Sequence, residues 1–149
     1  MFDDDFEDDE LSGEGEENPD SHYDLPVFKK AMQIGELTKI ITDTISPEKD
    51  IFQIRDQMLL NGYILGAKIA GAEGAGLYSL RMENATLIKI HARELMAETS
   101  LCREEKLCDN DYLEMLRKEI EEFRVLFIEW VKSFDKEDDI KDEWDILDL

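Results

Sequence analysis

The chain has 149 residues, one domain's worth, with 38 Asp and Glu against 17 Lys and Arg and a net charge of −21. A pI near 4.3 argues against constitutive binding to DNA or RNA, which Lys and Arg drive through phosphate contacts. No run of 18 apolar residues is present, the acidic start lacks the basic and apolar regions of a secretory signal, and two cysteines are too few for a disulfide scaffold, so a cytoplasmic protein without a membrane span is expected.

The charge sits at the two ends. Residues 1–25 carry twelve acids and no Lys or Arg, and residues 135–149 carry eight acids against Lys136 and Lys141. The stretch between them is close to neutral, at −3. The first 25 residues, with Gly, Ser and Pro among the acids, bury too little apolar surface to offset the entropy of ordering and are expected to be a disordered tail. Residues 135–149 read as a second disordered acidic tail. Its Trp144, Ile146, Leu147 and Leu149 are apolar, which fits either packing on the same or a neighbouring chain or docking to another protein.

The region 26–134 reads as four helices. The first is expected over 26–45, with Pro26 in its first turn and Val27, Ala31, Ile34, Leu37, Ile41 and Ile45 on one face. "SPEKD" then predicts a second helix from about residue 47, capped by Ser46, with Pro47 at its first position and Glu48 and Asp50 at the positive end of its dipole. Its expected face is Ile51, Ile54, Met58, Gly62, Leu65 and Ile69. Gly62, Gly66 and Ala70 make its second half narrow and predict a close helix approach there. Gly71, Gly74 and Gly76 are expected to end it near residue 70.

A third helix is expected over 77–105. Leu77, Leu80, Leu87, Ile88, Leu95 and Leu101 form its apolar face, and Ala85, Ala92 and Cys102 a small-residue edge. Asp109 or Asn110 caps a fourth helix whose Leu113, Leu116, Ile120, Phe123, Phe127, Trp130 and Phe134 alternate spacings of three and four. Val125, Leu126, Ile128 and Val131 widen that face beyond one seam. With no strand of useful length, the expected fold is an all-α, up-down antiparallel four-helix bundle.

Catalytic signatures are missing. There is no G-x-S-x-G, P-loop or kinase pattern, and "GAEGAG" follows no strand and lacks the Lys-Ser/Thr of a phosphate loop. A di-metal bundle site needs Glu-x-x-His pairs; His91-x-x-Glu94 is the reverse order and stands alone, and His22 lies in the acidic tail. Cys102 and Cys108 alone do not make a zinc site, and the acids near them oppose a lowered thiol pKa. No catalytic, metal or cofactor residue is therefore assigned. Asn84, His91 and Glu98, with Glu94, form a polar stripe on helix 3. It is expected to be satisfied by a neighbour such as Arg55 or Lys68, or to contact a partner, with Glu94 the residue of choice.

Three short patterns are similar to a known family. "KIAGA" (Lys68–Ala72) near the end of helix 2, "AEGAG" (72–76) after it, and "HAREL" (His91–Leu95) on helix 3 resemble motifs of the four-helix-bundle proteins encoded in intervening sequences of bacterial large-subunit ribosomal RNA genes. The accessory proteins of diversity-generating retroelements are related to that family. The resemblance spans roughly residues 26–134, with Lys68, Gly71 and His91 standing where the family pattern has Asn, Glu and Ser. It implies a bundle without known catalysis that assembles into rings, often pentamers. In the retroelement branch it also implies contact with reverse transcriptase and nucleic acid through a basic surface.

The expectation is a non-enzymatic, self-assembling interaction protein. Phe127, Trp130, Phe134, Trp144 and Leu147 are the candidate interface residues. The acidic tails are candidates for contact with a protein partner. The less favoured alternative is a nucleic-acid-associated factor whose basic face is Lys29, Lys30, Lys68, Lys89 and Arg93.

Overall fold

A computed structural model of the chain describes residues 22–146. These residues form a 3-10 turn at His22–Asp24 and four helices: α1 (Pro26–Thr42), α2 (Ile54–Ala75), α3 (Tyr78–Glu104) and α4 (Asn110–Lys132). No strand occurs among the described residues, as the sequence predicts. Residues 1–21 of the acidic N-terminal stretch and residues 147–149 lie outside the described residues, and with them the expectation that they are disordered.

Backbone contacts join α1 to α2, α2 to α3, α3 to α4 and α4 back to α1, while α1 and α3 occupy opposite corners. Cross-helix contacts fix the directions. Phe28 and Thr38 of α1 meet Gly66 and Gly62 of α2. Met58 and Asn61 of α2 meet Cys102 and Glu98 of α3. Thr99 and Arg103 of α3 meet Arg117 and Glu114 of α4. Numbers fall along one helix as they rise along the next, so consecutive helices are antiparallel.

The core lies on the bundle axis. Ile34, Ile41, Met58, Leu65, Ile69, Ile88, Leu95, Leu113, Leu116 and Phe123 are fully or almost fully buried. Each such side chain contributes about 1.5–3 kcal/mol by leaving water.

Helix ends depart from the sequence reading for local reasons. The first helix ends at Thr42, three residues early. Thr42 and Thr44 turn their hydroxyls back on the Lys39 and Ile41 carbonyls, at 3.0 and 2.6 Å. The second helix does not start at Ser46–Pro47. Residues 47–52 form turns, and the Asp50 carboxylate accepts from the backbone N–H groups of Ile54 (2.8 Å) and Arg55 (3.0 Å). That satisfies two of the donors a helix start leaves open, so Asp50 caps α2 from four residues ahead of it. Ile51, placed on the core face by periodicity, is 73 % exposed because it precedes the helix.

The other end of α2 also differs from expectation, at Ala75 instead of near residue 70. Gly71 and Gly74 are inside the helix, and only Gly76, at φ +70°, adopts the left-handed conformation that stops it. α3 then begins without a side-chain cap of its own. Its cap comes from beyond α4. Asp139 accepts from Ser79 N (3.0 Å) and Ser79 Oγ (2.7 Å), and the Asp138 carbonyl accepts from Tyr78 N (2.8 Å). Part of the stretch read as an acidic tail is thus a structural element, placed at the positive end of the α3 dipole. At the N-terminus, His22 and Tyr23 likewise pack their rings edge-on against Phe28, at 4.9 and 5.5 Å.

α3 buries Ala85, Ile88, Leu95 and Cys102, but Leu80, Leu87 and Leu101 are exposed, contrary to the predicted face. Leu87 and Leu101 each stand one residue, about 100°, before a buried position, which turns them to the side of the helix. α4 starts where expected, with Asp109 accepting from Asp111 N at 2.8 Å.

Candidate functional site

α3 and α4 face each other through residues of unequal size. Ala92 on α3 projects only a methyl group toward Ile120, Phe123 and Phe127 on α4. The result is an open groove of about 420 Å³, floored by these side chains with Met96 and Ile128. Lys89, Arg93, Arg124 and the acidic Glu121 stand along its rim. A neighbouring hollow of about 290 Å³ shares Lys89, Phe127 and Ile128 and extends past Met82 and Val131 to Lys132. The two make one apolar trough with a basic edge. Arg124 and Lys132 are paired with Glu121 (3.0 Å) and Glu129 (3.4 Å). Among the described residues, no carboxylate pairs with Lys89 or Arg93 in an ion pair.

The candidate interface residues divide. Phe127 lies half-buried in the groove wall. Trp130 and Phe134 are buried inside the chain, so they offer little surface to a partner. They are held by an aromatic ladder: Phe123 stacks on Phe127 at 5.9 Å, and Trp130 meets Phe134 edge-on at 4.7 Å. Trp130 Nε1 donates to Glu73 at 2.7 Å, and the Arg81 guanidinium lies 5.7 Å from the Phe134 ring centre. Trp144 is 83 % exposed, and Leu147 lies outside the described residues. Val125 and Ile128, expected to widen the α4 face, are exposed.

The polar stripe of helix 3 resolves into a buried centre between α2 and α3. Asn61 Nδ2 donates to Glu98 Oε1 at 2.7 Å, which leaves Asn61 Oδ1 to accept from His91 Nδ1 at 2.7 Å. The satisfying neighbour is therefore Asn61, in place of Arg55 or Lys68. Glu98 is buried, and its Oε2 has no hydrogen-bond partner among the described residues. Burial pushes its carboxyl up to about 7; the Asn61 bond opposes the rise and the Glu94 charge adds to it. Glu94, the residue singled out from sequence, is mostly exposed, with Oε2 3.9 Å from His91 Nδ1. Asn84 donates to the Leu80 carbonyl within its own helix, at 3.1 Å. Sequence reasoning placed Glu98 on the stripe but missed Asn61, whose signal is a lone amide between Met58 and Leu65 on the apolar face of α2.

The small-residue face behaves as a close approach. A Cβ on Gly62 would stand 3.1–3.3 Å from the Thr38 side chain, and one on Gly66 would stand 3.1 Å from Met32 Sδ. Gly35, opposite Gly62 on α1, is the unpredicted partner of this contact. Ala70 is half-buried against the core. Cys102 is fully buried, with Sγ 3.4 Å from Met58 Sδ. A hydrogen bond with Cys108, then burial, raises the Cys102 thiol above its ordinary range, and the same bond lowers Cys108.

The proposed basic face is not continuous. Lys30 is clasped by Glu119 (2.7 Å) and Glu122 (2.8 Å) of α4, and those hydrogen bonds raise its pKa. Lys29 shares α1 with it, and Lys68 is on α2. α1 and α3 sit at opposite corners, and Lys89 and Arg93 of α3 line one groove. Among the described residues no three His, Cys, Asp or Glu side chains converge on a metal-sized site, and no helix is long and apolar enough to cross a membrane. No protein-family model matches the chain, and no curated protein matches it.

Proposed function

We propose that this chain is a non-enzymatic interaction protein that assembles with copies of itself through the α3–α4 side of its bundle. The single observation that carries the reading is the apolar trough between α3 and α4, left open with Ile128 exposed along it. An uncovered apolar surface of this kind is the mark of a site that another molecule fills. The similarity of "KIAGA" and "HAREL" to the ring-forming bundle family supports the same reading, with a ring, such as a pentamer, as the assembly. Free Cys102 and Cys108 suit a reducing, cytoplasmic setting. Two cations without an ion pair at one groove favour a protein partner over nucleic acid, whose binding draws on many phosphate contacts. Light scattering across a concentration series tests the proposal. A defined oligomer at micromolar concentration is expected, and a monomer throughout that range overturns it.

A further inference from the structure

The trough needs an apolar occupant carrying negative charge, and the chain itself holds one. Residues 142–149, "DEWDILDL", set Trp144, Ile146, Leu147 and Leu149 among Asp142, Glu143, Asp145 and Asp148. Trp144 and Ile146 are 83 % and 70 % exposed, although a Trp ring is the kind of side chain that anchors interfaces. The segment leaves the bundle at a fixed place, because Asp139 is tied to Ser79 at the head of α3. Among its described residues, 142–146, none lines the groove of its own chain. Asp142 accepts from Trp144 N through its carboxylate (2.9 Å) and from Asp145 N through its carbonyl (3.3 Å), and this turn holds Trp144 in solvent.

We infer that residues 142–149 of one copy dock into the α3–α4 trough of a second copy, with Trp144 and Ile146 on the floor around Phe127 and the acids facing Lys89 and Arg93. The inference rests on the self-assembly proposed above and names its contacts. Donor and acceptor are different surfaces of one chain, so the contact is heterologous and repeats from copy to copy until a ring closes. The groove spans α3 from Met82 to Met96, about 21 Å at 1.5 Å per residue. Eight extended residues cover about 26 Å, so the segment is long enough to line it.

The test uses two full-length variants, each altered only at exposed positions. W144A/I146S removes the donor's anchors and K89E/R93E reverses the acceptor's charge. Each is expected to weaken wild-type assembly by about thirtyfold or more, the loss an anchoring interface residue carries. Mixing the two then restores one intact tail–groove pair, so a 1:1 heterodimer forms from two monomeric preparations. Assembly of W144A/I146S with an unchanged dissociation constant overturns the tail as donor and leaves self-assembly standing. Two monomeric variants that fail to pair on mixing also overturn it. A monomeric wild type overturns both readings together.

Discussion

Replacing Glu98 by Gln isolates the energetic cost of the buried carboxylate. The side chain is 6 % exposed, one oxygen accepts from Asn61, and the other has no hydrogen-bond partner among the described residues. Its carboxyl titrates at about 7 in the native state against 4.5 when free. The native state therefore holds this proton more tightly than the unfolded chain. The contribution of Glu98 to stability is greatest below pH 4.5 and is lost as pH rises through about 7. At 1.36 kcal/mol per pH unit the gap amounts to about 3 kcal/mol. Gln keeps the carbonyl that accepts from Asn61 and cannot ionise. Urea unfolding of both proteins from pH 4.5 to 8.5 gives the difference directly, with effects common to both cancelling. The variant should gain about 3 kcal/mol relative to wild type across that window, seen in thermal scans as a relative rise of about 10 °C. A stability difference that stays constant with pH refutes a buried, proton-holding Glu98.

Five further substitutions test the packing and the helix ends. Gly62→Ala drives a Cβ into Thr38, which is held by its own hydrogen bond to Ile34, and should destabilise despite the better helix propensity; Gly71→Ala, with open space around it, should stabilise by about 0.5–1 kcal/mol. Both are read by urea unfolding, and equal effects would refute the close approach. Asp50→Ala should cost about 1–2 kcal/mol by uncapping α2, whereas Ser46→Ala should lie within about 0.5 kcal/mol of wild type; the reverse order would return the helix start to Ser46. Gly76→Ala forces a side chain into the left-handed conformation and should lower stability by about 1–2 kcal/mol in the same assay.

The number, order and approximate extent of the helices were legible because each is a local pattern. Spacings of three and four mark a helix face, Pro26 and Gly76 mark ends through their backbone chemistry, and Asp109 marks one through its side chain. The narrow contact at Gly62 and Gly66 could be read in the same way, since a glycine's cost implies a nearby backbone. Other features depend on residues far apart in the chain. Asp139 caps a helix that begins 61 residues earlier, at Tyr78. Asn61 completes a polar centre with residues 30 and 37 positions away. Lys30 is bound by acids 89 and 92 positions on. Which apolar side chains of α3 and α4 meet in the core, and which border an open trough, follows from the rotation of each helix against its neighbours. Periodicity fixes that a helix has a face; the direction the face takes is set by the summed packing of all four helices, and that sum exists only in the folded chain.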